Sequence, residues 1–143
     1  MNHTILLFLA DGFAETKCVY FIEKLRDAGL KVKVVSRYKR WIKGAHGIIL
    51  SPDWKLDAIS PQEKLAGFIF PSSRQCLSEL FIDPRLTRLL DRTKTQQLPI
   101  VILGNDHGQR PELLKTENKL ILQDNRSLDD YSEFMIDLFS TIH

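Results

Sequence analysis

TILLFLADGFAETKCVYFIEKLRDAGLKVKVVS, residues 4–36, changes its hydrophobic period twice, and those changes decide the fold. Residues 4–10 form an apolar run closed by Asp11-Gly12, which suits a strand covered on both faces, as in a parallel sheet. From Thr16 the period becomes helical: Val19, Ile22, Leu25 and Ala28 recur at three-residue steps, with Glu23, Lys24, Arg26 and Asp27 between them. Thr16 reads as the N-cap, and Gly29 as the residue just past the helix end, where a left-handed backbone is wanted. Residues 30–36 alternate and then turn apolar, as a second strand does. Strand, helix, strand with short joints is a right-handed βαβ unit carrying a parallel pair.

The same reading extends outward. Residues 37–43, RYKRWIK, are the most basic stretch and read as a solvated hairpin or edge strand, whose lysines discourage edge pairing. His46-Gly47 turns into a short strand at 48–50, ended by Ser51-Pro52-Asp53. Residues 54–59 read as a loop or short turn, and Ser60-Pro61 as a helix start with Pro at the first helical position. Residues 65–70 are a buried strand stopped by Pro71, followed by a short helical stretch over 75–80. Asp83-Pro84 opens a further helix with Leu86, Leu89 and Leu90 inward and Arg85, Arg88, Arg92 and Lys94 outward.

PIVILGNDHG, residues 99–108, is the fourth main strand running into a corner of small and polar residues. In an open α/β sheet such a strand end is where a ligand or nucleophile sits. A single turn over 111–114, a short strand over 119–123 and an amphipathic helix over 127–142 complete the chain. Ser127 and Asp130 resemble a capping box there, and Tyr131, Phe134, Met135, Leu138 and Phe139 form the core face. The expected architecture is one doubly wound, flavodoxin-like α/β domain with a mostly parallel sheet, spanning residues 1–143.

Composition bounds the function. A chain of 143 residues with 43% hydrophobic and 27% charged residues is ordinary for one globular domain. A formal net charge of +2 gives no reason to invoke nucleic acid, although Tyr38, Arg40 and Trp41 interleave basic and stacking groups. The apolar run at 5–10 is too short for a signal-peptide core or a membrane span, so a cytoplasmic protein with reduced thiols is expected. Cys18 and Cys76 do not make a disulfide framework. His46, Asp106, His107 and His143 lack metal-ligand spacing, and LADGF has too few glycines for a phosphate loop, so no metal and no cofactor is expected.

Several segments together are similar to a known family. Residues 9–36, AHGIILSPDWKLDAI at 45–59, FIFPSS at 68–73 and the closing KLILQDNRSLDDYSEFMIDLFSTI resemble the DJ-1/PfpI family of the class I glutamine amidotransferase-like superfamily. The resemblance implies a reactive Cys on a nucleophile elbow, supported by a Glu and by backbone amides beside a Pro-Gly-Gly turn. A strained elbow exposes the sulfur, and a helix N-terminus and nearby carboxyl tune it. Here the Cys position falls on Gly104, the Glu position on Lys17 with Glu15 two residues earlier, and the two glycines on Ser72 and Ser73. The segment after the elbow is also shortened. The inherited chemistry is therefore expected to be lost, leaving a degenerate cleft drawn from Asp11, Glu15, Lys17, Ser72, Ser73, Gly104, Asn105, Asp106 and His107.

The expectation is a non-catalytic domain acting by self-association, as the homodimer implied by the resemblance, or by binding a protein partner or small metabolite. Shortening should also uncover apolar surface. Two alternatives stay open: a hydrolase or aldehyde-handling enzyme rebuilt on Ser72, Ser73, Asp106 and His107, and a small-molecule sensor using Asp11, Glu15, Lys17 and Asn105. Cys18, beside Lys17 in the first turn of a helix, is the leading redox-thiol candidate and Cys76 the second; burial as small hydrophobes is the competing reading.

Overall fold

The computed structural model describes residues 3–104 and 120–141. Six strands, β1 (Thr4–Phe8), β2 (Lys31–Ser36), β5 (Trp54–Lys55), β6 (Leu65–Pro71), β7 (Ile100–Leu103) and β8 (Leu120–Ile121), form one sheet in the order β5-β2-β1-β6-β7-β8. Every pairing in it is parallel. A separate antiparallel ribbon pairs β3 (Ile42–Lys43) with β4 (Ile49–Leu50). The helices are α1 (Glu15–Asp27), α2 (Arg74–Phe81), α3 (Pro84–Arg92) and α4 (Leu128–Ser140).

From β1 the chain steps outward one way to β2, and from β6 it steps the other way to β7. Right-handed crossovers therefore put α1 on one face and α2–α3 on the other, and α4 packs beside α1. The reversal falls between β1 and β6, so the crevice at their carboxyl ends is where this architecture holds a ligand. All residues of β1, β6 and β7 are buried, which is why they read as unbroken apolar runs. Phe8 stacks on Phe70 at 5.0 Å between ring centroids. On the α1 face, Tyr131 of α4 is buried and its hydroxyl donates to the Ile102 carbonyl at 2.8 Å. A Cβ on Gly67 would lie 2.7 Å from Phe139, so that glycine lets α4 sit close to the sheet.

Most helix ends follow their local signals. Gly29 ends α1 with φ +86, its N–H donating to Arg26 O and that of Leu30 to Leu25 O, the paired bonds of a Schellman motif. Ser73, Asp83 and Ser127 cap α2, α3 and α4 with their side chains. The N-cap of α1 is Ala14, without a side-chain cap, in place of Thr16. The core face of α1 is Cys18, Phe21, Ile22 and Leu25, while Val19 is 42% exposed and Ala28 is exposed. A row of three-residue steps lags about 60° per step behind a helix turning about 100° per residue, so the ends of the expected row rotate out of the core.

Ser60-Pro61 starts no helix. The Ser60 hydroxyl accepts from Gln62 N–H at 3.1 Å and its carbonyl from Glu63 N–H at 3.0 Å, closing a turn. Residues 54–59, expected as a loop, contain the edge strand β5, secured by Asp53, whose carboxylate accepts from Val34 N–H at 2.8 Å and meets Arg26 at 2.7 Å. The turn expected over 111–114 lies outside the described residues.

Candidate functional site

The carboxyl ends of β6 and β7 and the first turns of α1 bring three of the sequence-predicted residues together. Gly104, directly after β7, has φ +125, a backbone that L side chains rarely adopt. A Cβ placed there would stand 2.8 Å from Ser72 Oγ, 3.0 Å from Lys17 Nζ and 3.3 Å from Ser72 Cβ. Lys17 and Ser72 thus fill the space into which an elbow side chain would project. Ser73, the neighbour of Ser72, is engaged elsewhere: its Oγ accepts from Cys76 N–H at 3.4 Å at the start of α2. Asn105, Asp106 and His107 lie outside the described residues.

Asp11 and Glu15, the acidic members of the expected cleft among the described residues, hold the β3–β4 ribbon. Asp11 pairs with Lys39 and accepts from Lys43 N–H at 3.0 Å, and Gly12 N–H donates to Lys43 O at 2.8 Å. The Lys39 hydrogen bond, followed by that of the Lys43 amide, lowers the Asp11 pKa from its ordinary value. Glu15 is only 5% exposed. Its carboxylate accepts from His46 N–H at 2.7 Å and Ile48 N–H at 3.2 Å and lies 3.0 Å from His46 Nδ1. Burial raises its pKa, but those hydrogen bonds and one from its own N–H together outweigh burial and hold it at about 2. Gly44 makes this possible, since a Cβ there would lie 2.4 Å from Glu15 Cγ. These long-range engagements leave no mark in the sequence beyond the small residues around His46.

Both thiols are buried, Cys18 at 1% and Cys76 at 0% exposure. Burial pushes the Cys18 thiol up to about 12, with Cys76 adding to the rise, so the helix N-terminus and Lys17 are outweighed. The Cys76 thiol is also raised by burial, and its S–H donates to Ala10 O at 3.2 Å. Burial and the raised thiols run against the thiolate character expected of Cys18 and favour the reading of both cysteines as small buried hydrophobes. Among the described residues there is no cluster of His, Cys, Asp and Glu able to hold a metal ion, and no helix long and apolar enough to cross a membrane.

A parallel sheet whose strand order reverses between β1 and β6 defines a flavodoxin-like α/β protein. A sequence model of the DJ-1/PfpI family matches residues 3–103, and the chain belongs to that family. It is 29% identical over 70 residues to Deglycase TK1284 of Thermococcus kodakarensis; the match spans 49% of this chain and 42% of that protein, less than half of the relative's length. The structure is similar to DJ-1beta of Drosophila melanogaster, with a TM-score of 0.75 and 15% identity over 99% of this chain and 91% of that one. It is also similar to a mutant form of the DJ-1 superfamily protein STM1931 from Salmonella typhimurium, with a TM-score of 0.73 and 15% identity over 94% and 88% of the two chains.

Proposed function

We propose that this chain is a DJ-1/PfpI-like domain without elbow chemistry, acting by association with a second copy of itself. The observation that carries the first half is the filled elbow: Lys17 Nζ and Ser72 Oγ crowd the point where a nucleophile's Cβ would stand, and Gly104 offers no side chain. A reactive group needs a substrate within hydrogen-bond reach, and this corner is occupied by the protein's own side chains.

The second half rests on the β3–β4 ribbon. Trp41, Ile48 and Ile49 are 62%, 56% and 63% exposed, and Val19 on the adjoining α1 is 42% exposed. Large apolar side chains left in water around this ribbon support an interaction surface there. The homodimer implied by family resemblance supplies the occupant. Glu15 and Asp11 keep this ribbon in one position, which lowers the ordering cost of association.

Sedimentation across a wide range of protein concentration tests self-association. The expected result is a dimer that Ile49→Asp converts to a monomer with unchanged circular dichroism; a monomer at every concentration overturns the reading. Activity is tested with methylglyoxal and an activated acetate ester. The expected rate is the uncatalysed one.

Ser72 and Lys17 flanking one point also favour a second reading, a hydrolase with Ser72 as nucleophile and Lys17 as its base, in place of the Ser72–His107 couple. Saturable ester turnover abolished by either Ser72→Ala or Lys17→Met establishes that reading and overturns the first.

A further inference from the structure

A second cleft, away from the elbow, opens between α3 and the 3-10 turn Leu56–Ala58 that follows β5, with a volume of about 360 Å³. That volume falls in the range of small-ligand sites. Three arginines line it, Arg85, Arg88 and Arg92. Their spacing of three and then four residues puts them on one face of α3. From sequence this row reads as an ordinary solvated face. The structure instead sets it above an apolar floor made by Leu56 and Leu89, 6% and 7% exposed, and the half-buried Ile59.

Arg85 is locked in place. Its Nε and Nη2 fork onto Asp83 at 3.1 and 2.8 Å, its own N–H donates to the same carboxylate at 2.9 Å, and Nη2 reaches Arg37 O at 3.2 Å. Asp83 is 4% exposed and also meets Arg37 Nε at 3.2 Å, and these partners hold its carboxyl well below the usual carboxylate range. Arg88 and Arg92 have no ion pair among the described residues. Asp57 is the acidic group on the lining. On the lining Arg85, Arg88 and Arg92 stand against Asp57, and Arg85 is already paired with Asp83. Like charges so spaced on a helix repel, which is relieved by an anion bound between them.

We propose that this cleft binds a phosphate monoester of a small apolar alcohol or phenol. Planar guanidinium forks match phosphate oxygens, and a monoester carries close to two negative charges at neutral pH. Leu56, Ile59 and Leu89 take the apolar group, so inorganic phosphate alone is a poorer ligand. The site is independent of the elbow and of self-association.

Phenyl phosphate titrated into the 15N-labelled full chain, followed by amide chemical shifts, tests this. Saturable shifts at residues 56–59 and 85–92 are expected, with binding about tenfold weaker for inorganic phosphate and for phenol. Arg88→Gln together with Arg92→Gln is expected to weaken binding at least about tenfold and to remove most of its salt dependence. Arg40→Gln, whose side chain lies over Trp41, is the control and leaves binding unchanged. No saturable binding, shifts confined to other residues, equal affinity for inorganic phosphate, or an undiminished double variant overturns the proposal. A short phosphotyrosine peptide separates the two sources of this chemistry. Affinity no greater than that of phenyl phosphate keeps the site a small-molecule site, and a gain of about tenfold overturns that assignment.

Discussion

Gly104→Ala, alone and combined with Ser72→Gly, measures how far Ser72 crowds the position after β7. The new methyl would meet Ser72 Oγ at 2.8 Å and Ser72 Cβ at 3.3 Å, with Lys17 Nζ at 3.0 Å, on a backbone with φ +125. Holding a non-glycine residue in such a conformation costs about 1–3 kcal/mol. Lys17 Nζ is the end of a flexible side chain and swings away cheaply, whereas Ser72 Cβ is fixed to the backbone at the end of β6. Overpacking against Ser72 adds about 1 kcal/mol, at the low end for an inserted methyl. The variant should therefore lose about 2–4 kcal/mol, read from urea unfolding at one fixed protomer concentration as a lower midpoint with unchanged slope. Ser72→Gly removes the obstructing atoms but leaves the backbone strain. In that background the cost of Gly104→Ala should fall by about 1 kcal/mol, a coupling measurable by a double-mutant cycle. Lys17→Ala should give almost no such relief. A loss below about 1 kcal/mol for Gly104→Ala, or strict additivity with Ser72→Gly, refutes the reasoning that Ser72 crowds this position.

The remaining predictions concern the ribbon, the thiols and the buried tyrosine. Glu15 has its folded pKa depressed to about 2 from an ordinary 4.5, so its contribution to stability is present above about pH 4.5 and is lost as pH falls toward 2. Glu15→Gln should flatten the acid limb of a stability–pH profile over that interval and loosen residues 44–48 in hydrogen exchange; an unchanged acid limb counts against the clamp. Iodoacetamide should label neither Cys18 nor Cys76 in the folded protein near pH 8 and both after unfolding, because both are buried and both thiols are raised. Fast labelling of the native chain at either residue would show that the thiol is reachable. Tyr131→Phe removes the hydroxyl proton donated to Ile102 O at 2.8 Å, with Ile121 O at 3.3 Å sharing it, and should cost about 1–2 kcal/mol in urea unfolding, without altering circular dichroism.

The layout of this protein was largely present in its amino-acid order. Unbroken apolar runs at β1, β6 and β7 reflect burial on both sheet faces, and Gly29, Asp83-Pro84 and Ser127 mark helix ends through bonds made within a few residues. Such signals are local, so the sequence determines them alone. Residue positions carried over from family resemblance also put Lys17, Ser72 and Gly104 at one corner.

Tertiary structure decided what those residues do. Glu15 and His46 are 31 positions apart, and only the fold shows the carboxylate spent on the ribbon rather than offered to the cleft. The helix-end field and Lys17 argue for a Cys18 thiolate, but that effect is small beside the desolvation imposed by packing against the sheet. The arginine row of α3 looks like any solvated face until Leu56 and Ile59, brought in from the far side of β6, give it a floor. Backbone preference acts over a few residues and can be read in order; desolvation and charge pairing depend on what lies across the sheet, and the chain must fold before they exist.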